Sequence, residues 1–133
     1  MAEFSEYDGA AVAEAAEAAG LRLYLEEAMR LEPLPPDEER ALLSRAARGD
    51  TAVADEVVRS RLGLVAVMVL AREPDLGDAL EWLEAGNLAL VRAVAAFAAS
   101  GEADFESYAA SRIAGTLDAM AATRRAEAAW PGC

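Results

Sequence analysis

The sequence predicts an all-α fold, a compact bundle of about five helices in one domain. Ala, Leu, Val and Glu dominate the 133 residues, and only 6% of them are aromatic. Apolar side chains recur every three or four residues in successive segments, which is the period of an amphipathic helix. β-Branched residues cluster only in the short run 65–69. A chain of this length can bury a core of its own.

The N-terminal third is predicted to be partly irregular. We expect a loose segment over residues 1–8 and an Ala-rich helix over 9–19 that ends at Gly20. A more apolar helix over 21–29 should stop before the rigid, proline-rich loop 32–36.

Local signals predict the next helix boundaries. Pro36 suits the first position of a helix, and the acidic run 37–39 suits the positive end of its dipole. Gly49 is a candidate C-terminal cap and Asp50 a candidate N-cap. One long helix is then expected over 51–72.

The C-terminal half is predicted to contain two further helices. Pro74 should end the preceding helix, and Asp78 with Glu81 has the spacing of a capping box for the next one. A turn at 100–103 leads to a last helix over 105–125. The predicted organisation is an N-terminal extension over 1–20, a helical domain over 21–125 and a flexible tail over 126–133. The predicted core comprises Tyr24, Leu43, Val57, Leu64, Leu83, Leu90, Val94, Phe97 and Phe105.

Composition excludes several kinds of chemistry. The chain has no His, so histidine acid–base catalysis and His-ligated metal sites are excluded. The one cysteine, Cys133, is the last residue and cannot form a disulfide within the chain. The carboxylates Asp78, Glu81 and Glu84 have no nucleophile or phosphate-binding loop beside them. We therefore expect a solvated acidic surface rather than an enzyme, with no cofactor and no metal.

The charge balance disfavours nucleic acid as a partner. The formal net charge is −12, all twelve basic residues are Arg, and nucleic-acid binding draws most of its affinity from cations at phosphates. No cationic leader precedes a hydrophobic segment, and no apolar run approaches the roughly 18 residues of a membrane span. The sequence therefore favours a soluble, cytoplasmic protein.

Six short motifs carry a resemblance to a known family. They are YLEE at 24–27, PLPPDEE at 33–39, AARGD at 46–50, LGLV at 62–65, EAGNLALVRAV at 84–94 and FESYA at 105–109. In this order and spacing they resemble YLREI, PLLTPEEE, ARRIEKGD, NLRLV, QEGNIGLMRAV and FSTYA of the sigma-70 family of bacterial transcription initiation factors. The resemblance covers residues 21–120, which correspond to the family's regions 1.2 and 2. The motifs do not extend to counterparts of the family's regions 3 and 4, so we expect either a fragment or a protein that does not need those regions.

The resemblance implies a protein partner for the segment 84–94. In the family this helix docks on the clamp helices of the RNA polymerase β′ subunit. Helical spacing places Glu81, Glu84, Asn87 and Val91 on one face. Glu84 stands where the family has Gln. The expected partner-binding residues are Glu81, Glu84, Asn87, Val91 and Arg92.

Small residues beside that face have two possible roles. Gly86 and Ala89 are expected to keep the surface low, so that a partner can approach closely. Alternatively, Gly86 admits another helix of the same bundle.

The resemblance also implies that promoter melting is largely lost. Ser111 and Arg112 stand where the family has a Trp pair that stacks on flipped bases. Asp104 replaces a Lys and Glu106 a Ser, and Glu102 adds a third carboxylate. Specific binding of single-stranded promoter DNA is therefore not expected. The residual DNA-facing positions are Phe105, Tyr108 and Arg112, and the first two could instead be core residues.

Two functions follow from the resemblance. The first is a divergent sigma-like transcription factor that binds core RNA polymerase with weak or no promoter contact, which retention of Asn87 and Arg92 favours. The alternative is a sigma mimic that binds an anti-sigma or other regulatory protein.

Overall fold

The computed structural model describes residues 2–130, with side chains from residue 9 onward. Within this range the chain forms six α-helices and no strand, which confirms the predicted all-α class. The helices are α1 (Ala2–Arg30), α2 (Pro36–Ala47), α3 (Thr51–Ser60), α4 (Leu62–Leu70), α5 (Leu76–Ser100) and α6 (Phe105–Ala129).

The core forms around the hairpin of α5 and α6. Gly101 ends α5 with a φ of 78°, a left-handed conformation that glycine adopts without a steric penalty. Helices α2, α3 and α4 pack against α5, and α1 packs against α4. The largest fully buried side chains are Leu90, Ile113, Leu117, Val57, Val65, Val69 and Val94.

The predicted core is confirmed for most of its members. Leu43, Val57, Leu83, Leu90, Val94 and Phe105 are buried. Tyr24, Leu64 and Phe97 are half-buried and pack against the core from its edge.

The predicted boundaries between α2 and α3 are confirmed. Pro36 is the first residue of α2, and Gly49 follows its end with a φ of 98°. Asp50 caps α3, because its Oδ1 accepts a hydrogen bond from the backbone N–H of Val53 at 3.2 Å.

The predicted irregular N-terminus and the helix end at Gly20 are wrong. Helix α1 is continuous from Ala2 to Arg30. Gly20 lies among Ala and Leu residues, and no other atom lies within 4 Å of the place of its missing Cβ. Its cost of about 1 kcal/mol is too small to interrupt a run of strong helix formers. Residues 9–20 are all exposed, so this part of α1 extends from the bundle.

The single long helix predicted over 51–72 is also wrong. It is divided at Arg61, where φ is −113° and ψ is 9°, into α3 and α4. Two long-range contacts hold this corner. The Arg61 side chain pairs with Glu39, and Gly63 lies so close to α1 that a Cβ there would be 2.7 Å from the Ala28 carbonyl oxygen.

Two ends of the last helices differ from the predictions. Asp75, not Asp78, caps α5, and its Oδ1 accepts a hydrogen bond from the N–H of Asp78 at 2.8 Å. Helix α6 continues to Ala129, so the predicted flexible tail is helical over 126–129. Residues 131–133 lie outside the described part.

Helix α5 is long and apolar enough, by length and composition alone, to cross a membrane. This finding differs from the expectation that no apolar run approaches the length of a membrane span. About 33% of that apolar window is buried within the bundle, and the core helix of a helical bundle can meet the same criteria.

Candidate functional site

The outward side of α5 carries most of the predicted partner-binding residues. Glu81, Glu84, Val91 and Arg92 are exposed, while Leu83, Leu90 and Val94 on the opposite side are buried. This division follows from the helical period, which places residues three or four apart on the same side.

Two apolar residues that the sequence analysis did not select share this surface. Leu80 is 39% exposed and Leu88 is 48% exposed. With Glu84 and Val91 they follow one another at intervals of four, four and three residues. We call Leu80, Glu84, Leu88 and Val91 the outer α5 face. Glu81 and Arg92 lie at its edge. Periodicity alone could have identified Leu88, since it lies one helical turn from both Glu84 and Val91.

Asn87 was predicted to point outward, and this prediction is wrong. It is half-buried, and its Nδ2 donates a hydrogen bond to the Tyr24 hydroxyl at 3.0 Å, which links α5 to α1. Its Oδ1 is buried and accepts no hydrogen bond from the described residues. Asn87 is thus a contact within the fold, and only its remaining exposed part is available to a partner.

The small residues of the same segment serve internal packing. A Cβ on Gly86 would lie 2.7 Å from Val65 Cγ1, and 3.7 and 3.8 Å from atoms of Leu117 and Ile113. Ala89 is also buried. The expectation that these residues lower the surface for an external partner is therefore wrong, and the alternative is confirmed for Gly86.

The residual DNA-facing positions lie mostly within the fold. Phe105 is only 4% exposed, which corrects its assignment as DNA-facing, and its ring packs edge-on against Phe97 with centroids 5.3 Å apart. Tyr108 is half-buried, 5.6 Å from the same ring. Arg112 is exposed, and its guanidinium lies 5.4 Å from the centre of the Tyr108 ring.

The carboxylates that replace the family's Lys and Ser make contacts within the chain. Asp104 caps α6, accepting hydrogen bonds from the Ser107 hydroxyl at 2.6 Å and from the Ser107 N–H at 3.0 Å. These hydrogen bonds hold the pKa of Asp104 below its ordinary value. Glu106 accepts a hydrogen bond from Arg61 Nη1 at 2.6 Å.

A buried ion pair lies beneath that contact. Arg61 Nε and Nη2 donate to the two carboxylate oxygens of Glu39 at 2.8 and 2.9 Å, and both side chains are at least nine-tenths buried. The hydrogen bonds to Glu39 raise the pKa of the Arg61 guanidinium above its ordinary value, against the opposing effect of burial. The sequence does not predict this pair, because the partners are 22 residues apart and no local pattern joins them.

Arg92 and Arg112, predicted for two different roles, line the same cleft. This open cleft of about 480 Å³ lies between α5 and α6 and is also lined by Ala89, Ser111, Gly115 and Thr116. None of these described lining residues is acidic. We call it the arginine cleft.

The comparisons give no family assignment: the chain matches no protein-family model and no curated protein sequence. Among the residues that the structure describes, no group of three or more Cys, Asp or Glu side chains is arranged to hold a metal ion.

Proposed function

We propose that this chain is a sigma-70-like transcription factor domain that binds the β′ clamp helices of RNA polymerase through the outer α5 face. One observation carries the proposal. The segment with the most specific resemblance, residues 84–94, has an unpartnered surface on which Leu88 and Val91 are each about half exposed.

The composition of this surface supports a protein partner. Two to three large apolar side chains at helical spacing, with charged residues beside them, are typical of a helix that packs against a partner helix. Exposed Leu and Val on one face of an otherwise packed helix also lack a role within the described bundle.

We also propose that promoter contact is weak or absent, and the residues at the family's DNA-facing positions support this. Phe105 is a core residue, and the Trp pair of the family is replaced by Ser111 and Arg112. Tyr108 is the other aromatic residue of α6 between residues 105 and 129, and it is half-buried. It would have to leave its contact with Phe97 before it could stack on a base.

The alternative is a sigma mimic whose outer α5 face binds an anti-sigma or another regulatory protein. The same surface would serve both partners. The proposal is also that the chain acts as a binding protein and not as an enzyme.

The experiment measures binding of the whole chain to a purified fragment of the β′ subunit that contains the clamp helices. Val91→Glu places a charge in the centre of the proposed interface. We expect it to weaken binding about tenfold or more, because an unpaired charge would be buried on docking. Glu84→Gln restores the family's residue and should keep or increase the affinity.

Val67→Glu is the matched control, because Val67 is 51% exposed and lies on α4, outside the outer α5 face. It should leave the affinity within about twofold. Equal weakening by both variants would remove the outer α5 face as the binding site. If the unsubstituted chain does not bind the clamp fragment but binds a purified anti-sigma protein, the mimic hypothesis replaces the proposal.

A further inference from the structure

The arginine cleft differs from the surroundings of most other Arg residues in this acidic chain. Within the described residues, each of six Arg side chains lies within 4 Å of a carboxylate: Arg30, Arg40, Arg45, Arg61, Arg72 and Arg124. Arg92 and Arg112 have no such neighbour there, a property that they share with Arg22, Arg48, Arg59 and Arg125, but these two are brought together in one cleft. Neither has an Asp or Glu three or four residues away on its own helix.

A second cleft between the same helices shows the contrast. It is lined by Arg124 together with Asp78, Glu81 and Glu127. Arg124 lies 3.1 Å from an oxygen of Asp78 and 3.8 Å from one of Glu127. The cation of this second cleft is therefore neutralised by carboxylates of the same chain. The arginine cleft instead leaves two guanidinium groups open to an external anion.

Polar groups in the arginine cleft suit a phosphate. Two guanidinium groups offer forked N–H donors that match pairs of oxygens, and the hydroxyls of Ser111 and Thr116 add two further donors. The net charge of −12 does not prevent binding, because charges beyond about 8 Å are largely screened at physiological ionic strength. The volume of the arginine cleft, about 480 Å³, lies in the range of small-molecule sites.

We propose that the arginine cleft binds a phosphate-bearing small molecule, with Arg92 and Arg112 as the anion-binding residues. Two guanidinium groups in one cleft favour a ligand with two linked phosphate groups over a single orthophosphate. The cleft favours such a ligand over single-stranded nucleic acid, because its described lining residues include no aromatic side chain on which a base could stack. The proposal does not require docking on the outer α5 face, although Arg92 also lies at the edge of that face.

The test is a calorimetric titration of the whole chain with inorganic pyrophosphate at physiological ionic strength and without divalent metal. We expect saturable binding of one pyrophosphate, tighter than that of orthophosphate. Arg92→Gln/Arg112→Gln should weaken it about tenfold or more, because charge-assisted hydrogen bonds are lost. Arg112→Lys keeps the charge without the fork and should give an intermediate affinity.

Arg125→Gln is the matched control. It removes the same charge from the same helix, at an exposed residue that does not line the cleft. The affinity of Arg125→Gln for pyrophosphate should stay within about twofold of that of the unsubstituted chain. Thermal unfolding should show that all variants remain folded. The proposal is overturned if pyrophosphate does not bind, if Arg125→Gln weakens binding as much as the double variant, or if a single-stranded oligonucleotide binds the cleft and pyrophosphate does not. Val91→Ala truncates the outer α5 face without adding a charge, so it should leave pyrophosphate binding unchanged, which separates this result from the outcome of the clamp experiment.

Discussion

At Gly86, α5 lies in close contact with α4. Its missing Cβ would lie 2.7 Å from Cγ1 of Val65, which is fully buried and has a stiff, β-branched side chain. Gly86→Ala should therefore destabilise the protein by about 1–3 kcal/mol through overpacking, although Ala is the better helix former by about 1 kcal/mol. The measurement is the free energy of unfolding from urea denaturation.

Gly115→Ala on α6 is the matched control. No other atom lies within 4 Å of its Cβ position, so only the helix propensity changes, and we expect stabilisation by up to about 1 kcal/mol. If the two variants change stability in the same direction, close packing at Gly86 is not what requires glycine there.

Gly86 and Asn87 also show what a sequence can say about single residues. Two poor helix formers inside a helix indicate a constraint other than helix stability, and that inference was correct. The sequence could not tell an internal contact from an external one, because both require small or polar residues at the same helical positions. In the structure, Gly86 allows close packing against Val65, and Asn87 donates a hydrogen bond to Tyr24.

Among the helices, the N-terminus of α6 provides a pH-dependent contact. Asp104 caps this helix, and the Ser107 hydroxyl and N–H lower the pKa of its carboxyl below the ordinary value. A carboxyl whose pKa is lowered by folding contributes stability at pH values above its unfolded pKa of about 3.9 and loses it as the pH falls through the lowered pKa. Asp104→Asn keeps a capping group without the charge. The melting temperature of the original chain should exceed that of this variant at pH 5–7, and the gap should narrow below about pH 4.

Glu102→Gln serves as the control for that comparison. Glu102 is an exposed carboxylate in the same turn, and its side chain makes no ion pair or hydrogen bond with the described residues. The difference in melting temperature between Glu102→Gln and the original chain should be small at every pH. An Asp104→Asn gap that stays constant from pH 7 to pH 3 would show that the charge of the cap does not contribute.

Helix ends were predictable where the signal is local, and not where it is tertiary. Pro36 and Asp50 act through the backbone groups of their own turn, so their roles follow from the sequence. The break at Arg61 depends on Glu39, which is 22 residues away, and could not be predicted from periodicity. Gly20 shows the opposite error, since a locally unfavourable residue was outweighed by its neighbours.

For the molecule as a whole, the sequence predicted the class of the fold and most of one surface. Exposure of Glu84 and Val91 follows from the 3.6-residue period, which fixes the inward and outward sides of α5 once the core is assigned. The arginine cleft could not be predicted, because Arg92 and Arg112 meet only through the packing of α5 on α6. Interhelical sites of this kind require the relative rotation of two helices, which no single-helix pattern contains.

Arg61 joins three parts of the bundle, since it binds Glu39 on α2 and Glu106 on α6 from the corner between α3 and α4. Arg61→Met would leave the Glu39 carboxylate buried without its cation, so we expect a loss of about 3–5 kcal/mol in the free energy of unfolding. Glu39→Leu/Arg61→Met replaces the pair by apolar side chains and should recover most of that loss. Glu106→Gln should cost about 1 kcal/mol or less, because the Glu106 side chain is 59% exposed. Urea denaturation of the three variants measures these differences.

If Arg61→Met costs no more than Glu106→Gln, the buried pair does not hold the corner, and the break between α3 and α4 must arise from the approach of Gly63 to α1.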